Sequence, residues 1–294
     1  MLVIPIVAFG EWFVESAPFL LASLKAPGNL PHVEARVIVY TDKPDRFKDW
    51  ETVRIIPTNG MSKHTTTTMY YQQALQLGYP IVPLAADMVC GMGTLIALER
   101  LAKMKRVVLA PVVRTVAQTM RAALPIKDGA TSLAPRALCA LALQHLHPLQ
   151  HKMYWEQLPS EIAPTTIFRR VGSTIAARCF HMHPMLLNIP PDTPLSPGID
   201  GELMARMNPK DCYVVTDSDE LVVFDLTDRD YNWSAGYLRR YKPNTRVDFW
   251  SLDKANNTHL WFFEHECYVH AGEIERPPPD AAYEAMRDAV RRRR

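Results

Sequence analysis

The sequence predicts an α/β protein with a mostly parallel central sheet, and three observations predict it. Short apolar, β-branched runs alternate with helix-length stretches through the first third of the chain. Turn residues fall between them, as at Pro27-Gly28-Asn29 and at Gly78 with Pro80. From Ile175 onward the pattern changes to strands, which reads as a mixed or antiparallel part completing the sheet.

The elements follow in order. Leu2–Ala8 is an unbroken apolar run and reads as a buried first strand. Glu11–Leu24 reads as a helix with Trp12, Phe13, Phe19, Leu20 and Leu24 as apolar positions; Pro18 should bend it or mark its true start. Strands are expected at 36–40 and 53–56, and a helix at 66–77 stopped by Gly78 and Pro80. A fourth strand at 81–84, a helix at 94–104 and a fifth strand at 106–110 complete the alternation. The stretch 116–158 reads as helical, with Ala137, Leu138, Leu141, Ala142 and Leu146 on its apolar face. Strands are expected at 175–183, 212–216, 221–226, 247–250 and 259–270, and Pro277-Pro278-Pro279 precedes a final helix at 281–294. This divides the chain into an α/β half (1–115), a helical insertion (116–170), a second half completing the sheet (171–276) and a C-terminal helix (277–294).

Composition narrows the function classes. At 294 residues, 48% hydrophobic and 22% charged, the chain has the balance of a soluble globular protein. The 33 basic and 31 acidic residues nearly cancel, which argues against a nucleic-acid partner. No apolar run reaches the roughly 20 residues of a membrane-spanning helix, and the amino terminus lacks the basic region and cleavage site of a secretory signal. Cys90, Cys139, Cys179, Cys212 and Cys267 are odd in number and widely spaced, so no disulfide framework is expected and a reducing, cytoplasmic setting fits.

Several nucleotide and hydrolase motifs are absent. There is no GxxxxGK[ST] loop, no GxSxG elbow and no HExxH, and Gly91-Met92-Gly93 is followed by Ile96 where a dinucleotide fingerprint needs glycine. The informative segment runs Pro83-Leu84-Ala85-Ala86-Asp87-Met88-Val89-Cys90-Gly91-Met92-Gly93-Thr94-Leu95: a buried strand delivers Asp87 to its end and a helix begins soon after. In open α/β sheets ligands sit beyond the carboxyl ends of the strands, where both Asp42 and Asp87 fall. A second polar set contains His181 and His183, facing one side at period two, then Asp200, then Asp217-Ser218-Asp219-Glu220. The last run is either a polar turn between two strands or a carboxylate pair delivered by a strand. His145, His147 and His151 read as surface residues, and Trp233 as a candidate to stack on a sugar face.

The segment from Pro83 to Leu95 resembles GT-A-type nucleotide-sugar glycosyltransferases, especially the glycogenin and bacterial galactosyltransferase group, in which such a strand ends in Asp-x-Asp. The second Asp corresponds to Asp87; Ala85 stands where the family has the first. Ala8, Phe9 and Gly10 look like the end of that family's nucleotide-binding first strand, and Thr41-Asp42 like the place where a carboxylate meets the ribose or base. Val269-His270-Ala271-Gly272 resembles the short segment that returns a histidine to the metal. The resemblance implies a Rossmann-type GT-A sandwich that transfers a sugar from a nucleoside diphosphate donor to a hydroxyl of a glycan or other acceptor. It implies a divalent ion, Mn²⁺ or Mg²⁺, at Asp87 and His270 to neutralise the departing diphosphate; Ala85 removes one of its carboxylates, so the alternatives are an ion held by other groups or cationic side chains in its place. Arg114 is then a phosphate contact, Asp200 the first candidate for the acceptor base and His183 the second. The rival readings are a nucleotidyltransferase, a metal-dependent hydrolase built on His181, His183, Asp200, Asp217 and Asp219, and a GT-A-like binding module without catalysis.

Overall fold

The apolar run at the amino terminus forms β1 (Leu2–Ala8), buried along its whole length as a strand covered on both faces must be. In the computed structural model, which describes residues 1–56, 63–148, 166–179, 182–195, 207–230 and 265–278, β1 pairs in parallel with β2 (Ala35–Thr41), and β2 with β3 (Glu51–Arg54). On the other side of β1 lies the 81–85 segment, joined by single bridges at Val3↔Ile81 and Val7↔Ala85. Pro5 accounts for a missing rung between those bridges: Val3 N donates to the Pro80 carbonyl, and two residues on Pro5 has no N–H to donate. Ile81 also bridges Leu187 of β9 (His183–Leu187), which runs antiparallel. β9 pairs antiparallel with β5 (Val107–Ala110), and β5 pairs in parallel with β10 (Cys212–Val214). Two three-stranded sheets thus meet at Ile81, and β1, β2, β5 and β10 end at one common edge.

Alternation along these strands builds an apolar core on each face. Leu2, Ile4, Ile6, Val37, Val39, Leu84 and Val108 pack with α1 (Glu11–Leu24) and α3 (Thr94–Ala102). Val3, Val7, Ile38, Tyr40, Val107 and Leu109 pack with α2 (Lys63–Leu75), α4 (Ala117–Ala123) and α5 (Pro135–Gln144). Two smaller sheets border this part. In one, β11 (Val223–Thr227) runs antiparallel to β4 (Met88–Cys90) and parallel to β6 (Val113–Val116). In the other, β8 (Thr174–Cys179) lies between β7 (Thr166–Val171) and β12 (Cys267–His270), antiparallel to both.

The fold class expected from the sequence is therefore present as α/β with several small sheets of mixed direction. Particular elements differ. The expected strand at 175–183 ends at Cys179, and His183 opens a separate strand. Of the expected helical stretch at 116–158, the described residues, up to 148, contain two short helices with a turn between them, where Asp128 and Gly129 both have positive φ, 52° and 73°. Pro18 neither starts nor ends α1, because Val14, Ala17, Leu20 and Leu21 on both sides of it are buried in the core and hold the helix through the missing bond. His147, expected at the surface, is buried; its Nε2 pairs with the carbonyl of Asp228 at 2.7 Å. The expected strand at 247–250, the helix at 281–294, His151, His181, Trp233 and Asp200 lie outside the described residues. Among the described residues no helix is long and apolar enough to cross a membrane.

Candidate functional site

The common edge where the parallel strands end carries the first group of candidate residues. Ala8 and Thr41 close β1 and β2 side by side and are buried; Phe9 beyond them is half-buried. Gly10 follows with φ 75° and ψ 154°, a conformation a side chain would resist, and its N–H donates to Asp42 Oδ1 at 3.3 Å. Asp87 lies in the turn between the 81–85 segment and β4. Its Oδ2 accepts from Trp12 Nε1 at 3.3 Å, and its carbonyl accepts from Leu226 N at 2.6 Å. The Arg121 guanidinium stacks over the Trp12 ring at 4.6 Å and the Phe19 ring at 5.6 Å, and donates to Ser16 Oγ. Burial pulls Arg121 below its ordinary pKa, and the charges of Glu15, Asp87 and Asp228 oppose that pull. Its Nε is buried and has no hydrogen-bond partner among the described residues. Sequence reasoning missed Arg121, since nothing in a seven-residue helix announces which arginine faces Trp12.

A neutral network backs this turn. Asn29 is fully buried: its Nδ2 donates to the carbonyls of Ser23 and Gly91 at 3.0 and 3.1 Å, and its Oδ1 accepts from Leu95 N at 2.9 Å. Ile96 N donates to the Gly28 carbonyl at 3.2 Å, so the Pro27-Gly28-Asn29 loop caps α3 from outside the helix, whose own Gly93 has no side chain to do so. Gly28 and Gly93 touch: a Cβ on Gly28 would lie 2.7 Å from Gly93 Cα.

The second group forms where β10 ends. Residues 217–220 do make a turn, with Asp217 Oδ1 accepting from Asp219 N at 2.8 Å and the Asp217 carbonyl accepting from Glu220 N at 3.1 Å. The same turn brings Asp217 and Asp219 to His270, with ligand atoms of all three within 4.8 Å of one another. His270 Nε2 lies 2.9 Å from Asp217 Oδ1, and its Nδ1 lies 2.5 Å from the Gly272 carbonyl. Arg136 holds Asp219 with Nε and Nη2 at 3.0 and 2.7 Å, and its hydrogen bonds keep the Asp219 carboxyl below its ordinary pKa. Behind the turn, Cys139 has its thiol pushed up to about 11 by burial, against the hydrogen bonds of Ser218 and His270.

The remaining candidates are dispersed. Arg114 on β6 lies 3.5 Å from Asp225 Oδ2 and 3.4 Å from Thr227 Oγ1. His183 Nε2 donates to the Pro83 carbonyl at 2.7 Å. The hydrolase cluster is thus not gathered among the described residues: Asp217 and Asp219 meet His270, whereas His183 is tied to Pro83. The residues at Asp87 also do not fit the metal that the resemblance implies. Ala85 offers no ligand, Asp87 is held by an indole N–H, the charge coupled to it is a guanidinium, and His270 is joined to Asp217.

No family model matches the chain, and no curated protein matches its sequence. Among solved structures it is similar to S. aureus TarS, at 12% identity and a TM-score of 0.29, over 38% of this chain and 22% of that one. A structure of S. aureus TarS 1-349 gives 14% identity and a TM-score of 0.29, over 39% of this chain and 36% of that one. The chain thus matches between about a fifth and about a third of the length of these structures.

Proposed function

We propose that this chain is a glycosyltransferase on a GT-A-like, Rossmann-type fold, moving a sugar from a nucleoside diphosphate donor to a hydroxyl of a glycan or other acceptor in the cytoplasm. The observation that carries this reading is the group Gly10, Asp42, Asp87 and Arg121 at and beside the edge where the parallel strands end. In this reading Asp42 accepts hydrogen bonds from the ribose or base. Arg121, already charged and stacked on Trp12, opposes the negative charge that gathers on the diphosphate as the bond from the anomeric carbon to its oxygen breaks. Arg114 is the second cation. The acceptor oxygen forms the new bond to the anomeric carbon and gives its proton to Asp200, while nucleoside diphosphate leaves. His183 is the weaker base, because its Nε2 already donates to Pro83. No ion is routed through Asp87.

The test is binding in EDTA. One nucleoside diphosphate from a panel of bases should raise the thermal midpoint, since a ligand at 100 times its Kd adds about 2.7 kcal/mol. Asp87→Asn and Arg121→Met should each weaken that nucleotide about tenfold, with Arg121→Lys between them and wild type. Failure of every nucleotide to shift the midpoint refutes the reading. Nucleotide binding without transfer to any acceptor leaves a binding module in its place.

A further inference from the structure

We propose that the groove between α1, the 44–50 segment and the turn at 127–130 binds a small phosphomonoester, with Lys25, Arg46 and Lys48 on its phosphate and Leu21 and Ile126 against its carbon body. The groove holds about 280 Å³, just below the roughly 300–1,000 Å³ of small-molecule sites. The site does not rest on the transferase reading. Lys25 follows the last residue of α1, about 20 Å along the helix from Trp12 at a rise of about 1.5 Å per residue, so the basic end of the groove lies apart from the Asp87 turn.

Charge and shape point to the ligand class. Lys25, Arg46 and Lys48 line the groove with one carboxylate, Asp49, beside them, so three cations against one anion leave a net charge of +2. None of the three pairs with a carboxylate of the described residues, whereas Arg36, Arg100 and Arg136 each hold one, at 2.5, 2.5 and 2.7 Å. A phosphomonoester carries about −1.5 to −2 at pH 7 and so matches that excess, where a carboxylate would leave half of it unanswered. Arg46 adds a planar fork that fits phosphate oxygens. Ile126 is 46% exposed on the wall of the groove, and Leu21 lies buried in it. Inorganic phosphate would leave that apolar wall wet, while the carbon body of an ester covers it.

The walls are fixed before any ligand arrives. Phe47 is buried in the core and anchors the 44–50 segment, and Trp50 N donates to its carbonyl at 3.0 Å. Lys25 Nζ sits over the Trp50 ring, 5.3 Å from its centroid, which holds the ammonium at the groove. On the other side Lys127 and Ala130 exchange both backbone hydrogen bonds around Asp128 and Gly129, whose positive φ values make a two-residue hairpin turn. Thr131 N donates to the Ala22 carbonyl at 3.0 Å and ties that turn to α1. The turn reaches Lys25, whose Nζ would lie 3.8 Å from a Cβ on Gly129. The cations are thus presented on a scaffold that needs no rearrangement to receive an anion.

The full chain is titrated by isothermal calorimetry at low salt, in EDTA, with phenyl phosphate, with inorganic phosphate and with benzoate. Phenyl phosphate should bind at least tenfold tighter than either of the others, and about 0.5 M NaCl should weaken it. Lys25→Gln and Arg46→Gln change exposed side chains, so the fold should survive, and each should weaken phenyl phosphate at least fivefold. Ile126→Ser should weaken phenyl phosphate and leave inorganic phosphate unchanged. Arg121→Met, which removes the cation of the Asp87 turn, should leave phenyl phosphate binding as it is, so this site stands or falls apart from the nucleotide site. No binding of phenyl phosphate at millimolar concentration overturns the proposal. So does wild-type affinity in Lys25→Gln or Arg46→Gln, equal affinity for benzoate, or loss of the site in Arg121→Met.

Discussion

Two turns in this molecule look alike in sequence and are built differently. Each follows a parallel strand, carries an aspartate and feeds a short strand, and the strands they feed, β4 and β11, pair with each other. The turn at Asp87 is backed by neutral, buried groups, Ser23, Asn29, Gly91 and Leu95, and its carboxylate meets an indole N–H beside a guanidinium. The turn at Asp217 is held by charged groups near solvent, Arg136 on Asp219 and Arg100 on Glu220, with one buried imidazole as its floor. The lesson is that the partner, not the aspartate, sets the chemistry. A fixed organic cation makes the first turn suited to an anionic ligand, whereas the carboxylates of the second are already engaged by Arg136 and His270.

The largest expected effect comes from breaking the neutral network. Asn29→Ala leaves Leu95 N, at the start of α3, buried without its acceptor, and opens a small cavity. An orphaned buried donor costs about 1–3 kcal/mol, so with the cavity the loss should be near 3 kcal/mol by urea unfolding. Salt should leave that loss unchanged. A loss below about 1 kcal/mol would mean that water replaces Asn29 and that the first turn is not held from behind. Gly28→Ala comes next. Its φ of 76° and the 2.7 Å approach to Gly93 Cα demand a backbone shift, worth about 2 kcal/mol. Retained stability in that variant would show that the Gly28–Gly93 contact bears no strain.

How far the sequence revealed these turns follows from range. The parallel run β1–β2 and the helix α1 were legible because their signals are local: a continuous apolar strand and a periodic apolar face. Asp42 and Asp87 were legible as strand-end carboxylates for the same reason. The Pro27-Gly28-Asn29 signal was legible as a stop but not as a cap for α3, since its partner lies 66 residues away. The short β4 and β6, three and four residues long, carry too few residues for alternation to register. His270 was singled out for the small residues after it, whereas its contact with Asp217 carried no local signal, because it follows from the long-range pairing of the turn with β12. Arg121 had no local signal at all.

The smallest effect is a rate, read at two cysteines that lie behind the two turns. Burial pushes the Cys90 thiol up to about 12, and that of Cys139 up to about 11. At pH 8 the thiolate fractions are then on the order of 10⁻⁴ and 10⁻³, so neither should react with iodoacetamide in the native protein. In urea well below the unfolding midpoint the two should separate. Cys139 should alkylate first, because the charged turn that covers it opens locally at lower cost than the neutral network over Cys90. Peptide mapping by mass spectrometry reads the order directly. Simultaneous labelling would mean that both turns open only with the whole chain, and earlier labelling of Cys90 would reverse the contrast between the two supports.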